Sequence, residues 1–436
     1  MAPMSRTELR ARLGALGATS RVGRYTQRAF LRANVLEGVV VGVFILNEYV
    51  AKKTLGAGDA LLTALVVGPT AALLFAAWWS GLLAQREKAS TFLLFGLLGR
   101  LSLLLVPLAG TAGSFTAVIA ATTFLYGAIV PAGNALIQRN FAAAERGRVL
   151  GLGTTLHAVT VIAVSLVVGR LYDWRPEAYR LTYAAAAVCG FFACLGQARL
   201  RFRARPGEPR ERRLFGRNFG RELAGALRRP FAGALVLLRE DRGFRRYEMG
   251  FMAYGLAWMM LQPTIPVFLI ERLDVAYADV ANARGLIYFT MIAACSHPFG
   301  RLLDRVGPLA VSRLAFALLA PFPLLLAASR GVGTVFAAFL VYGVGMAAVN
   351  LGWTTGPIHF ARERDSAGYM GAHVACVGVR AIIGGPFGIW LYRASGSPTA
   401  TFTLAAALFL LGSLIMATAA RLPASHVDRP RGNPAQ

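Results

Sequence analysis

Runs of about twenty apolar residues recur along the whole chain, separated by short polar breaks, and about that length is what an α-helix needs to cross the hydrocarbon core of a bilayer. Counting the runs and their interruptions predicts twelve spans, at 33–51, 60–83, 89–109, 114–137, 149–169, 181–198, 247–270, 279–300, 308–328, 333–357, 367–392 and 400–420. A closed β-barrel is the other architecture that satisfies every backbone group in lipid, and long unalternating runs do not suit one. Composition agrees: 56% of the residues are apolar and 15% charged, with mean hydropathy +0.54, whereas a soluble domain is about a quarter charged.

The net charge of +25 would suggest nucleic acid in a soluble protein. Here most of the surplus lies in 1–32, 199–246 and 421–436, the pattern of cytoplasmic segments in a membrane protein, so no nucleic-acid partner is inferred. The longest polar stretch, 199–246, holds 15 Arg against 5 acidic residues and divides the chain into two sets of six spans. With both termini inside, the predicted loops place 34 Lys and Arg on the cytoplasmic side against 8 outside and 4 within spans. The tails and central loop set that bias, since the short loops are nearly balanced. The N-terminal segment is Arg-rich without an apolar stretch before residue 33, which does not fit a cleavable secretory signal. Leu9, Leu13 and Leu16 are spaced for a short helix on the membrane surface. Cys189, Cys194, Cys295 and Cys376 fall inside apolar spans without metal-type spacing and read as small core residues.

The two sets of spans repeat. Tyr126-Gly127 in the fourth span precedes Asn134, and Tyr342-Gly343 in the tenth precedes Asn350 at the same spacing. Phe141, Glu145-Arg146, Gly151 and Leu171-Tyr172 are matched by Phe360, Glu363-Arg364, Gly371 and Leu391-Tyr392, with an offset drifting only from 216 to 220 residues. Ordered pairs at a nearly constant offset on corresponding helices imply two homologous six-helix halves, 33–198 and 247–420. Six spans per half give both the same orientation, a parallel repeat about an axis along the membrane normal.

At this point the chain resembles the major facilitator superfamily over residues 33 to 420. The strongest local match is Gly300-Arg301-Leu302-Leu303-Asp304-Arg305-Val306-Gly307, between the eighth and ninth spans. It looks like the family's signature loop, which acts there as a latch between conformations. By that resemblance Gly300, Asp304, Arg305 and Gly307 form the latch. Physically, Gly300 would let two helix backbones approach, Asp304 would face the positive end of a neighbouring helix, and Arg305 would meet lipid phosphate or a carboxylate. The matching first-half loop keeps Gly81 and Arg86 but has Gln85 for the Asp and Lys88 for the second Gly. A neutral amide contributes no full charge there. Gly384, Gly385 and Pro386 in the eleventh span are similar to the Gly/Pro breaks of transporter helices and are candidates for a hinge or for close packing. The resemblance implies an all-α transmembrane fold of twelve helices, two parallel-repeat halves around a central cavity, working by alternating access.

Charges inside spans are costly, about 3 kcal/mol or more each, and face a cavity or a partner. Arg100 and Arg380 lie too deep to snorkel, so each is either an anion-binding group or half of an internal ion pair, Arg100 with Glu37 for instance. Glu37 and Glu248 start the two halves. A buried carboxylate there can hold a proton and couple transport to a proton gradient, while a first-turn Glu can merely complement the helix dipole. His157 is titratable or a packing residue, His297 and His373 rank below it, and Glu48, Glu271 and Arg284 lie toward the outer face. Asn134 and Asn350 serve either helix-to-helix hydrogen bonding or the solute path. Trp78, Trp79 and Trp390 mark span ends.

No Walker loop, HExxH or catalytic Ser-His-Asp or Cys-His set is present, so neither enzyme activity, a metal nor a cofactor is expected. The expected function is secondary transport of a small solute in a bacterial cytoplasmic membrane, by a monomer whose partners are its substrate, a proton or other coupling ion, and lipids. The substrate leans to an organic anion. Efflux of amphipathic compounds and a non-transporting receptor or assembly factor remain as alternatives.

Overall fold

The computed structural model describes residues 21–72, 87–127, 129, 140–141, 143–200, 229–361 and 367–419. Among the described residues nine elements are long and apolar enough to cross a membrane. One of them, Tyr277–Ala327, is 51 residues long and is broken at Gly307, whose φ of 78° and ψ of 171° interrupt the helix Tyr288–Leu319 just before Pro308. Taking it as the eighth and ninth spans and adding the shorter apolar helices Asp59–Ala71 and Ala112–Gly127 accounts for all twelve predicted spans. The described residues contain helices and connecting turns and no strand.

Two spans start earlier than their hydropathy indicates. The first helix begins at Arg21 rather than near 33, because its first three turns are amphipathic, with Thr26 and Gln27 buried and Arg24 and Arg28 exposed. The seventh begins at Arg242, where Asp241 caps it by accepting from the Phe244 backbone N–H at 2.9 Å and from the Tyr369 hydroxyl at 3.2 Å. Within the segment read as a polar linker, Arg229–Glu240 is a helix packed on the eleventh span. Helices persist beyond the hydrocarbon when a cap or a polar face supports them.

Packing sorts the chain into two units: 1–57 with 79–223 and 276–286, and 58–78 with 224–275 and 287–436. In the first unit the first helix lies against the fifth (Ala143–Trp174) and the sixth (Tyr179–Ala198). A Cβ on Gly38 would meet Thr160 at 2.8 Å and one on Gly42 would meet Val164 at 2.7 Å, so these two parallel helices touch through glycines. The first helix ends at Phe44 and continues through a turn into a π-helical stretch, Val50–Thr54. Beside it Glu48 pairs with Arg284 at 2.8 Å, on a second π-helical stretch, Ala281–Ile287. Asp173, ending the fifth helix, accepts from the backbone N–H groups of Tyr277 and Ala278 at 2.7 and 2.8 Å and so caps the short helix that starts there.

In the second unit the seventh helix (Arg242–Glu271) packs on the eleventh (Ala367–Ser395) and the twelfth (Pro398–Ala419), and Tyr288–Leu319 packs on the tenth (Val332–Ala361). Its core is aromatic: Tyr254 stacks on Phe316 with centroids 4.7 Å apart, and Tyr342 stacks on Phe322 at 4.6 Å and Tyr288 at 5.1 Å. Arg393 is gripped by Asp59 at 2.6 Å and Glu271 at 2.8 Å. Large apolar side chains left outward in both units, such as Leu105, Leu181, Leu414 and Trp390, suit a lipid solvent.

Candidate ion and solute site

Among the described residues each unit buries one arginine against a glycine of a neighbouring helix. On the third helix, Lys88–Leu101, Arg100 is 4% exposed and lies where a Cβ on Gly190 would meet its Cδ at 2.6 Å. Its guanidinium forms an ion pair with Glu37 of the first helix, itself 9% exposed, and sits 3.4 Å from the centroid of the Tyr126 ring. Of the two readings open for Arg100, the structure makes it half of an internal ion pair. A buried pair of this kind has its charge satisfied and its geometry fixed.

The second unit answers the same sequence features differently. On the eleventh helix Arg380 is 3% exposed and lies across Gly255 of the seventh, where a Cβ would collide with its guanidinium. One of its terminal N–H groups donates to the Phe251 carbonyl at 2.5 Å, and its Nε finds no hydrogen-bond partner. The Tyr254 ring lies 5.6 Å away. Among the described residues no carboxylate is within ion-pair distance of Arg380.

Two turns back along the same pair of helices, Glu248 and His373 meet with Oε1 to Nδ1 at 2.7 Å, and both are buried, at 2% and 0% exposure. Glu248 Oε2 and His373 Nε2 are each buried without a partner. The imidazole is boxed by Phe251, Trp353 and Tyr247, with centroids 4.9, 5.3 and 5.7 Å away. Glu248 is therefore no surface residue complementing a helix dipole, since the seventh helix starts six residues earlier and has carried it inside.

His373, ranked below His157 by its sequence position near a span end, is fully buried, the one histidine so placed among the described residues. His157 is half-buried and its Nδ1 lies 3.2 Å from the Asn34 carbonyl, a packing arrangement. A signal was present in the chain. His157 and His373 lie on corresponding helices, the fifth and the eleventh, and each faces the helix that carries Glu37 or Glu248. Tyr254, Gly255, Cys376 and Trp353, which surround the cluster, carry no pattern that sets them apart from other apolar-span residues.

Other predicted residues are placed as follows. Asn350 is exposed, and Asn134, Gly81 and Arg86 lie outside the described residues. A Cβ on Gly300 would meet nothing within 4 Å, so the close helix approach expected of it is not seen. Gly300 precedes the break at Gly307, with no described residue within 4 Å of where its Cβ would be. Asp304 and Arg305 are exposed, and neither makes a side-chain hydrogen bond or ion pair among the described residues. Gly307 has the backbone only glycine adopts readily, and that is what separates the eighth span from the ninth. Gly384 and Gly385 lie in a continuous helix where each is at a contact: Gly384 against Met259 at 2.7 Å and Gly385 against Val67. Pro386 follows them in the same helix.

Solved structures share this fold at low identity. The human organic anion transporter MFSD10 aligns at 15% identity with TM-score 0.62, covering 90% of this chain and 99% of its own. The nucleoside transporter NupG gives 14% and 0.65, covering 91% and 98%. An auto-inhibited POT family peptide transporter gives 13% and 0.68, covering 93% and 98%. No curated protein matches the sequence. The family profile of the Major Facilitator Superfamily matches residues 35–283 and 248–436, together nearly the whole chain, and this multi-pass membrane protein belongs to that superfamily.

Proposed function

We propose that the protein is a secondary active transporter that moves a small organic anion by alternating access, coupled to protons, in a bacterial cytoplasmic membrane with both termini and 199–246 on the cytoplasmic side. In this reading 33–198 and 247–420 are the two six-helix halves, the 300–307 segment is a latch, and Gly384 and Gly385 are contact points about which the eleventh helix shifts. One observation carries it: among the described residues Arg380 is a buried cation with no carboxylate partner and an unused N–H, while in the same unit Glu248 is paired with His373 and Asp241 is held by the Phe244 N–H and the Tyr369 hydroxyl. A buried guanidinium costs several kcal/mol unless a counter-charge reaches it, and its planar fork suits a carboxylate or phosphate. The first unit shows the contrast, because Glu37 already supplies that counter-charge to Arg100. MFSD10, one of the structural neighbours, is an organic anion transporter, which agrees with this choice of substrate class.

The test is uptake by purified protein in proteoliposomes with an imposed pH gradient, screening organic anions beside amphipathic cations. The expected outcome is gradient-dependent movement of an anion, abolished in Arg380→Ala and partly kept in Arg380→Lys, both with wild-type melting behaviour. Movement of cations instead, or transport indifferent to Arg380→Ala, rules the anion assignment out.

A further inference from the structure

Seven buried side-chain atoms among the described residues of the second unit lack hydrogen-bond partners, and the three on Glu248, His373 and Arg380, which share the seventh and eleventh helices, are of two kinds. Glu248 Oε2 and His373 Nε2 are places for a proton when the pair is deprotonated, with Nδ1–H donating to Oε1. Arg380 Nε is a donor aimed at nothing. In that deprotonated state the cluster holds one carboxylate, a neutral imidazole and one guanidinium, and its net charge is zero. A monovalent anion arriving alone at Arg380 would leave one uncompensated negative charge in a buried site. A proton arriving alone on the Glu248–His373 pair would leave one positive charge. Only the two together restore neutrality, and uncompensated buried charge is what low-dielectric surroundings penalise most.

We propose that the Glu248–His373 pair is the coupling site, taking one proton for each monovalent anion bound at Arg380, so that proton and anion cross in the same direction. The proton comes from water, forms an O–H on Glu248 or an N–H on His373, and returns to water when the anion leaves. This rests on the anion reading above. Other polar and charged groups face the pair. On the seventh helix these are Tyr247 and Tyr254, on the eleventh Cys376 and Arg380, and from the tenth the Trp353 ring. The twelfth helix meets this stretch through Met416 at Gly250. Asp241, two turns toward the N-terminus, is already held by the Tyr369 hydroxyl. In the first unit the corresponding first helix carries Glu37, which is neutralised by Arg100.

Two measurements on detergent-purified protein separate this proposal from the anion reading. Equilibrium binding of benzoate and benzenesulfonate, whose own charges stay fixed over the range used, is followed from acid to alkaline pH, within a wider panel of organic monoanions. One linked proton means that the affinity of a bound probe falls tenfold per pH unit once the pair has lost its proton. In Glu248→Gln, which keeps the shape and removes the carboxylate, binding persists and the dependence flattens. His373→Gln gives the second variant, in which the midpoint moves. Infrared difference spectra between acid and alkaline pH, recorded with no added anion, should show either a carboxylic acid signal that Glu248→Gln removes or an imidazolium signal that His373→Gln removes, and Glu37→Gln should leave both. Binding that is independent of pH, or a slope that survives both variants, overturns the coupling while the anion reading stands. Failure of every monoanion to bind folded wild-type protein overturns both, and difference spectra in which Glu248→Gln removes no carboxylic acid signal and His373→Gln removes no imidazolium signal take the proton away from this pair whatever the anion does.

Discussion

Glu37 with Arg100 and Glu248 with His373 show how the same residue type at related positions acquires different roles from one neighbour. Arg100 brings a permanent charge to Glu37, so the pair is a fixed structural contact. Removing one partner strands the other, which costs about 3–5 kcal/mol, whereas an apolar pair of similar volume is nearly neutral. Glu37→Gln should therefore lower the melting temperature of the detergent-solubilised protein markedly, and Glu37→Met with Arg100→Met should recover most of the loss. A double variant as unstable as either single would mean that the pair is not the contact that matters. Gly255 makes the corresponding prediction in the second unit. Because Arg380 occupies the space of its absent Cβ, Gly255→Ala should displace the guanidinium and abolish anion uptake with only a small change in melting. Retention of full uptake would show that the guanidinium has room to work from another position. Of these residues, sequence identified both arginines and both glutamates, because charge in an apolar run is conspicuous. It undervalued His373, because a single imidazole near a span end reveals neither its depth nor its partner.

At the level of helices, hydropathy located all twelve spans because crossing a bilayer fixes length and composition together. It misplaced the starts of the first and seventh, where an amphipathic polar face and the Asp241 cap extend the helix past the apolar run. Faces were not legible at all, and glycines show the consequence. Gly384 and Gly388 sit where the eleventh helix touches the seventh, while Gly300 and Gly371 have open space around the missing Cβ. Gly388→Ala would press a methyl into the Met260 backbone and should cost about 1–3 kcal/mol. Gly371→Ala, by contrast, should gain about 0.5–1 kcal/mol from helix propensity. Melting curves of the two variants side by side check the pair, and equal effects would mean that the packing described for the eleventh helix is wrong. Gly307→Ala belongs with the costly group for another reason: its φ of 78° and ψ of 171° lie in a region that alanine occupies at about 1–3 kcal/mol of strain.

Across the whole molecule, a two-fold sequence repeat has been filled with unequal chemistry, and that inequality can be tested without knowing the solute. One unit holds its buried charges as a closed pair, the other as an arginine without a carboxylate beside a titratable pair. Symmetric helices supply the scaffold, so a variant in the first unit should act on folding and a variant in the second on function. Measured together, Glu37→Gln and Arg100→Leu should reduce the amount of folded protein while the fraction that folds keeps wild-type uptake and pH dependence. Glu248→Gln and Arg380→Lys should leave folding near wild type and change uptake or its pH dependence. Normalising uptake to folded protein, by gel filtration of each preparation, separates the two effects. The crossed result, in which first-unit variants fold well and lose transport, would place the working charge at Arg100 and make Arg380 the structural one. Depth in the span alone could not have ranked the two, since each arginine sits deep in its span and only the presence of Glu37 beside one of them tells them apart.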